Sequence, residues 1–201
     1  MLLDVDDSQL VLVDFQARLM PALFQGEACL TNAMRLAQAA HLLEVPVWGT
    51  EQNPAKLGEN PADMKALCRQ TLAKMQFSAC DEGLVDCLRP VVHHKPAGNA
   101  RSLPKHLQKP APAHPERPSI VIAGCEAHVC LLQTALGLLE EEFEVWVVTD
   151  ACASRNERDR DAAFDRLAGA GAELLTTEMV LFEWLRDCEH PAFKNILSLI
   201  K

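Results

Sequence analysis

Short apolar segments alternate along the chain with longer segments of helix-like spacing. The short segments predict six strands, over residues 10–15, 45–48, 72–78, 119–124, 144–149 and 173–176. Between them, apolar residues recur every three to four positions, which predicts helices over residues 28–43, 62–71, 81–89, 130–140, 157–168 and 178–187. Strands that alternate with helices form a largely parallel sheet covered on both faces. The pattern therefore predicts an α/β fold in a single domain over residues 1–201.

The segment from residue 119 to residue 134 joins a strand to the start of a helix. Residues 119–124 are apolar or β-branched and carry no charge, as in a strand buried on both faces. From Cys130 onward the apolar residues follow a helical spacing. The first turn of a helix offers unpaired N–H groups and a positive dipole end, which lower the pKa of a thiol and bind an oxyanion. Cys130 is therefore the candidate nucleophile.

Residues 89–118 interrupt the alternation. They contain seven of the twelve prolines and four of the seven histidines, with six basic residues against one acidic residue. So many prolines exclude a regular helix or a central strand, and we predict a Pro-rich basic insertion at about residues 90–118. A solvated loop is the plainest interpretation. Because the insertion leads into the amino end of the fourth strand, a subunit or partner contact is favoured over a lid on the site.

Composition narrows the class of protein. At 201 residues and 49% hydrophobic content, the chain suits one globular core, and its formal charge of −9 opposes binding to nucleic acid or anionic membranes. No signal-peptide pattern and no apolar run of membrane-spanning length are present. The eight cysteines include no CxxC pair, which favours reduced thiols over a disulfide framework. We therefore expect a cytoplasmic protein that binds neither nucleic acid nor membranes.

Three reactive residue types fall at or just past strand ends. Asp14 ends the first predicted strand, Lys74 lies in the third, and Cys130 follows the fourth. Because sites in parallel sheets lie at the carboxyl ends of strands, these residues can converge. Asp14 would take the thiol proton and return it to a leaving group, while the Lys74 charge stabilises both anions. A structural buried ion pair and an inert buried thiol remain open, and His128 is a less favoured base.

Cofactor and metal motifs are missing from the sequence. It contains no GxGxxG, no GxxxxGK[ST] and no GxSxG segment, so no nucleotide cofactor is expected. Glu51 and Gln52 follow the second predicted strand without a neighbouring histidine. Four histidines lie in the insertion without ligand spacing, at positions 93, 94, 106 and 114. We therefore predict neither a metal site nor a cofactor.

Several motifs together resemble the isochorismatase-like cysteine hydrolase family. They are VDFQ with Asp14, AKMQFS with Lys74, IAGCEAHVCLLQTAL with Cys130, VVTDACASR and TTEMVLFEWL. The stretches TEQNPAKLG and HPAFKNILSLIK are most similar to the isochorismatase-domain-containing branch of that family. The resemblance covers nearly the whole chain except residues 91–118.

The resemblance implies a fold, a catalytic triad and an assembly. The fold is a three-layer α/β/α sandwich, Rossmann-like, around a six-stranded parallel sheet. Asp14 would be the general base and acid, Lys74 its cationic partner and Cys130 the nucleophile. A cis peptide between Cys125 and Glu126 is also implied, with an oxyanion hole from the backbone N–H groups of Glu126 and Cys130. Such proteins form homo-oligomers, so at least a dimer is expected.

Departures from the family pattern narrow the substrate. Metal-dependent nicotinamidases of this family carry an Asp-x-His motif where this chain has Thr50-Glu51-Gln52, so that activity is not expected. True isochorismatases cleave a vinyl ether without a cysteine, so the presence of Cys130 favours a carbonyl substrate. Four side chains are predicted to contact a small-molecule substrate: Phe15, Gln16, Trp48 and His128. Phe15, Gln16 and Trp48 could equally be packing residues.

The leading hypothesis is a metal-independent cysteine hydrolase that cleaves a small amide or carbamoyl C–N bond through a thioester. Two rivals use the same fold, namely a non-catalytic interaction protein that works through the basic insertion and a vinyl-ether hydrolase. A thiol redox protein is a further class, against which the absence of CxxC counts.

Overall fold

The structure, a computed structural model, describes residues 2–89 and 117–201. Its strands are β1 (Ser8–Val13), β2 (Val47–Gln52), β3 (Gln70–Lys74), β4 (Ser119–Cys125), β5 (Glu144–Ala153) and β6 (Glu173–Leu175). They form one sheet in the order β3-β2-β1-β4-β5-β6, and every adjacent pair is parallel. The predicted α/β fold with a six-stranded parallel sheet is confirmed.

Helices cover both faces of this sheet. They are α1 (Gly26–Leu42), α2 (Pro54–Leu57), α3 (Ala62–Leu67), α4 (Leu84–Leu88), α5 (Leu132–Glu140), α6 (Glu157–Gly169), α7 (Thr177–Leu185) and α8 (Phe193–Ile200). One apolar core holds side chains of α1, α3, α7 and α8, and a second holds those of α4, α5 and α6. Side chains alternate between the two cores along β1, as strand geometry requires. Among the described residues, no helix has the length and apolarity to cross a bilayer.

The predicted bounds of three strands are corrected at the carboxyl edge of the sheet. β2 extends to Gln52 and β5 to Ala153, where the sequence predicted loops, and β3 ends at Lys74 rather than at residue 78. The polar residues at these ends are mostly buried, so polarity there is not a sign of a loop. The predicted insertion at about residues 90–118 lies almost wholly outside the described residues.

Gly124 brings β1 and β4 into unusually close contact. Its φ is +153°, and a Cβ there would lie 2.3 Å from the carbonyl oxygen of Val13. Strand β1 leads directly into Asp14, and β4 leads directly into Glu126. The glycine thus permits the close approach that sets the distance between two segments of the site.

Replacing Gly124 with alanine is expected to lower the free energy of unfolding by at least about 2 kcal/mol, because the added methyl group would clash with backbone atoms. Urea denaturation would measure the change. Gly169→Ala is the matched control, since a Cβ at Gly169 meets nothing within 4 Å. Equal unfolding midpoints for Gly124→Ala and the parent protein would contradict the prediction.

Candidate active site

Asp14, Lys74 and Cys130 converge at the carboxyl edge of the sheet. Asp14 follows β1 with a φ of +54°, Lys74 ends β3, and Cys130 lies in a π-helical turn, Ala127–Leu131, after β4. The chain runs from β1 outward through β2 to β3 on one side and begins its other half at β4. The crevice at such a switch point is where open parallel sheets bind ligands. The structure thus brings together the three residues predicted to be catalytic.

Asp14 and Lys74 form a buried ion pair. The Lys74 Nζ lies 2.8 Å from the Asp14 Oδ2, and both side chains are 0% exposed. Burial of two charges is costly unless further polar groups surround them. The Lys74 ammonium donates to Gln52 Oε1 at 2.8 Å, Phe77 O at 3.0 Å and Gln76 O at 3.3 Å. These contacts hold the charged pair without access to solvent.

Two further residues in contact with the pair were not identified from the sequence. Thr50 donates its hydroxyl to Asp14 Oδ1 at 2.7 Å, and Gln52 accepts from Lys74 as described above. Both lie on β2, two residues apart and therefore on one face of the strand. The alternating Thr-x-Gln pattern could have indicated two polar side chains on one face of a strand end. It was not recognised because the second strand was predicted to stop at residue 48.

The Cys130 thiol lies within interaction range of both charges. Only 6% of Cys130 is exposed. Burial and the neighbouring Asp14 carboxylate raise the pKa of the Cys130 thiol to about 12, although Lys74 opposes them. Lys74 thus acts on this pKa in the expected direction, but burial and Asp14 outweigh it, so the expectation of a lowered thiol pKa is wrong. Cys130 rests as a thiol, and a base must remove its proton before it can attack.

Backbone N–H groups beside Cys130 are available to a ligand. The carbonyl of Glu126 accepts from the N–H of Val129 at 3.0 Å and of Leu131 at 3.3 Å. The π turn thus uses the carbonyl that an α-helix would pair with the Cys130 N–H. Within the described residues the Glu126 N–H has no hydrogen-bond acceptor either. The peptide that joins Cys125 to Glu126 is cis.

The predicted substrate contacts fall elsewhere. Phe15 is fully buried in the first apolar core. Gln16 is also buried, and its amide pairs with the backbone of Gln52 and with the carbonyl of Gly58. Trp48 lies near the amino end of β2, where its indole donates to Gln9 at 3.0 Å. Four residue steps along the strand lead from Trp48 to Gln52, about 13 Å at about 3.3 Å per residue. Packing and internal hydrogen bonds thus account for Phe15 and Gln16, and Trp48 lies toward the amino end of β2; a substrate contact of these residues stays a prediction.

His128 contacts a different set of residues from Cys130. Its Nδ1 forms a 2.9 Å hydrogen bond with Ser154 Oγ, and its Nε2 lies 4.0 Å from Asp159 Oδ2. Nearby, the Glu126 carboxylate accepts from the Arg155 guanidinium at 2.9 Å. These contacts place His128 beside the end of β5 and do not support it as the base for Cys130.

Glu51 is the middle residue of Thr50-Glu51-Gln52, the segment that stands in place of the Asp-x-His metal motif. Its carboxylate accepts the N–H of Asn60 at 2.8 Å and lies 3.3 Å from the Lys65 ammonium. Among residues 2–89 and 117–201, no three His, Cys, Asp or Glu side chains form a metal-binding group. Glu51 is therefore already paired with a cation from the chain itself.

Comparison with known proteins places the chain in a family. The model of the isochorismatase domain matches residues 8–179. The chain belongs to the isochorismatase family. It is 33% identical over 196 residues to isochorismatase domain-containing protein 2A of Mus musculus, with 98% of this chain and 84% of that protein covered.

Three solved structures are similar to this chain along nearly its whole length. The MAR1 ribonuclease of Caenorhabditis elegans has a TM-score of 0.82 at 29% identity, over 100% of this chain and 92% of that one. YcaC of Pseudomonas aeruginosa, solved with hexane-2,5-diol and covalent acrylamide, has a TM-score of 0.81 at 26% identity, over 98% and 91%. The Escherichia coli YcaC gene product, an octameric hydrolase of unknown specificity, has 0.79 at 26% identity, over 98% and 95%. The protein thus has the fold of isochorismatase-family hydrolases.

Proposed function

We propose that this isochorismatase-family protein is a cysteine hydrolase that cleaves a small amide or carbamoyl C–N bond without a metal ion. The observation that carries the proposal is the burial of Asp14, Lys74 and Cys130 together in the crevice between β1 and β4. An inert buried thiol usually packs among apolar side chains. Cys130 instead interacts with a buried carboxylate and a buried ammonium group. A nucleophile that must transfer its proton to a nearby base requires such neighbours.

The geometry supports a two-stage reaction. Asp14 takes the proton of Cys130, and the sulfur attacks the substrate carbonyl carbon to form a C–S bond. The N–H groups of Glu126 and Cys130 bind the resulting oxyanion. Asp14 then returns the proton to the leaving nitrogen as the C–N bond breaks, which leaves a thioester. Water attacks the thioester, Asp14 accepts its proton and passes it to the departing sulfur, and the acid is released.

Properties of the relatives support the substrate class and the assembly. The P. aeruginosa YcaC structure holds covalent acrylamide, a small primary amide with an electrophilic carbon. For this chain, the same chemistry agrees with a reactive thiol in a site that accepts an amide. The E. coli YcaC gene product is octameric, and we extend a homo-oligomeric state to this protein as part of the proposal.

The cysteine pattern of the sequence supports a reducing compartment, since eight cysteines without a CxxC pair favour reduced thiols over a disulfide framework. We therefore include a cytoplasmic location in the proposal.

A ribonuclease activity, which the name of the C. elegans protein indicates for that protein, is less suited to this chain. A polynucleotide needs a basic, accessible surface, whereas this chain carries a formal charge of −9 and its thiol is 6% exposed. A vinyl-ether hydrolase would leave the position of Cys130 unexplained. The interaction hypothesis depends on an insertion outside the described residues and has no support in the described part.

Asp14→Asn provides the sharpest test, because its two effects on Cys130 have opposite signs. Loss of the negative charge lowers the pKa of the Cys130 thiol and would accelerate alkylation. Loss of the base would slow it. We expect alkylation of Cys130 by iodoacetamide at pH 7 to become at least about tenfold slower.

Peptide mass mapping would report the rate for each cysteine, with exposed Cys188 as the internal reference. A faster reaction of Cys130 in Asp14→Asn would mean that Asp14 acts on the thiol only through its charge, and the proposed mechanism would fail. Release of ammonia from a panel of small primary amides would then measure the activity itself.

A further inference from the structure

The hydrogen bonds of Lys74 leave one oxygen of Asp14 available. An ammonium group has three protons, and three acceptors receive them, namely Gln52 Oε1 and the carbonyls of Gln76 and Phe77. The 2.8 Å contact between Lys74 and Asp14 Oδ2 is therefore electrostatic rather than a directed hydrogen bond. Among the described residues, Asp14 Oδ2 is a buried atom without a hydrogen-bond donor.

Thr50 occupies the other oxygen. Its hydroxyl donates to Asp14 Oδ1 at 2.7 Å, while its carbonyl accepts the Asp14 N–H at 3.2 Å. Thr50 therefore binds Asp14 at two points, one on the backbone and one on the carboxylate. Rotation of the carboxylate would break the 2.7 Å bond, so the two oxygens are not interchangeable.

Gln52 is held in the orientation that Lys74 requires. Its Nε2 donates to the carbonyl of Met75 at 2.7 Å, which leaves Oε1 to face the ammonium. Its backbone N–H and carbonyl are both paired with the amide of Gln16. Gln52 and Lys74 are also register partners in the sheet. A fixed acceptor thus draws one Lys74 proton away from Asp14.

We infer that Thr50 and Gln52 are positioning residues that make Asp14 Oδ2 the atom that accepts the Cys130 proton, an inference that rests on the proposed cysteine hydrolase. Thr50 occupies Oδ1, and Gln52 keeps the ammonium from donating into Oδ2. Lys74 then supplies charge without competing for the proton. The Thr-x-Gln of β2 therefore takes part in the chemistry through Asp14 and Lys74, without contact with the substrate.

Thr50→Val tests the inference, because valine keeps the shape of threonine and lacks its hydroxyl. Thr50→Ser keeps the hydroxyl and serves as the conservative rescue. Thr149→Val is the matched control, since it removes a threonine hydrogen bond to the carbonyl of Leu175 in β6. Gln52→Met removes the acceptor of Lys74 at similar length and gives a second, independent variant. Each variant is first checked for a cooperative unfolding transition.

The readout is the rate of Cys130 alkylation by iodoacetamide against pH, with exposed Cys188 as the reference. We expect Thr50→Val and Gln52→Met to slow Cys130 about tenfold or more at pH 7, since hydrogen bonds to charged groups have effects of this size. Thr50→Ser should recover most of the rate, and Thr149→Val should match the parent. A role in stability alone would not alter the Cys130 rate in a folded protein.

Two negative outcomes have different meanings. If Cys130 of the parent depends on Asp14 but reacts equally fast in folded Thr50→Val and Gln52→Met, only the positioning role is overturned. If Cys130 of the parent does not depend on Asp14, the proposed hydrolase itself fails. Should Thr50→Val not fold, Gln52→Met alone decides, and a parent-like rate there overturns the inference.

Discussion

Replacing Cys130 with alanine is expected to reduce amide hydrolysis by at least about 10³-fold, because Cys130 supplies the sulfur that forms the acyl intermediate. The variant should fold, since the 6% exposed thiol fits among apolar neighbours and alanine leaves only a small void. Turnover of a small primary amide, normalised to the fraction of folded protein, would measure the loss. Cys130→Ser should be nearly as inactive, because an alcohol gives up its proton far less readily than a thiol.

A half-buried thiol, Cys68, provides the control for this loss. Burial raises the pKa of Cys68 to about 11, so this thiol resembles Cys130 in its resting protonation. It lies just after α3, where its sulfur donates to the carbonyl of Met64. Cys68→Ala should retain the parental activity. Residual turnover in Cys130→Ala above a tenth of the parental rate would remove the thiol from the mechanism.

The sequence was sufficient to predict a parallel α/β sheet and the approach of Asp14 and Lys74 at its carboxyl edge. Two signals need no knowledge of packing. One is an aspartate at the end of an apolar strand, and the other is a lysine within a weaker strand. Parallel order then brings both to one edge of the sheet. These inferences depend on residue type and strand direction, which errors of a few residues in strand bounds do not change.

Other features depend on contacts that no local pattern records. The pKa of Cys130 is raised by burial and by Asp14, which lies on a different strand, so an argument from the helix start alone had the wrong sign. Thr50 was missed because a polar residue at a buried strand end resembles a loop residue until its partner is known. Trp48 was expected at the end of a strand, but that strand continues to Gln52, so Trp48 lies near its amino end.

The ion pair also makes a strong prediction about stability. Lys74→Met is expected to lower the free energy of unfolding by about 3–5 kcal/mol, because it leaves the Asp14 carboxylate in a site with 0% exposure and no cation. Asp14→Asn/Lys74→Met should be more stable than Lys74→Met, since the double variant buries no charge. Urea denaturation followed by circular dichroism would give the three unfolding free energies.

An exposed ion pair provides the matched comparison. Lys65 and Glu59 lie 2.7 Å apart, but Glu59 is 71% exposed, so water and salt screen the pair. Glu59→Gln should therefore leave the unfolding free energy nearly unchanged. The decisive comparison is the double variant against Lys74→Met, because restored stability identifies the uncompensated Asp14 charge as the source of the loss. If the double variant is instead the less stable of the two, Lys74 contributes mainly by packing and by its bonds to Gln52, Gln76 and Phe77, and the charge of Asp14 is tolerated without it.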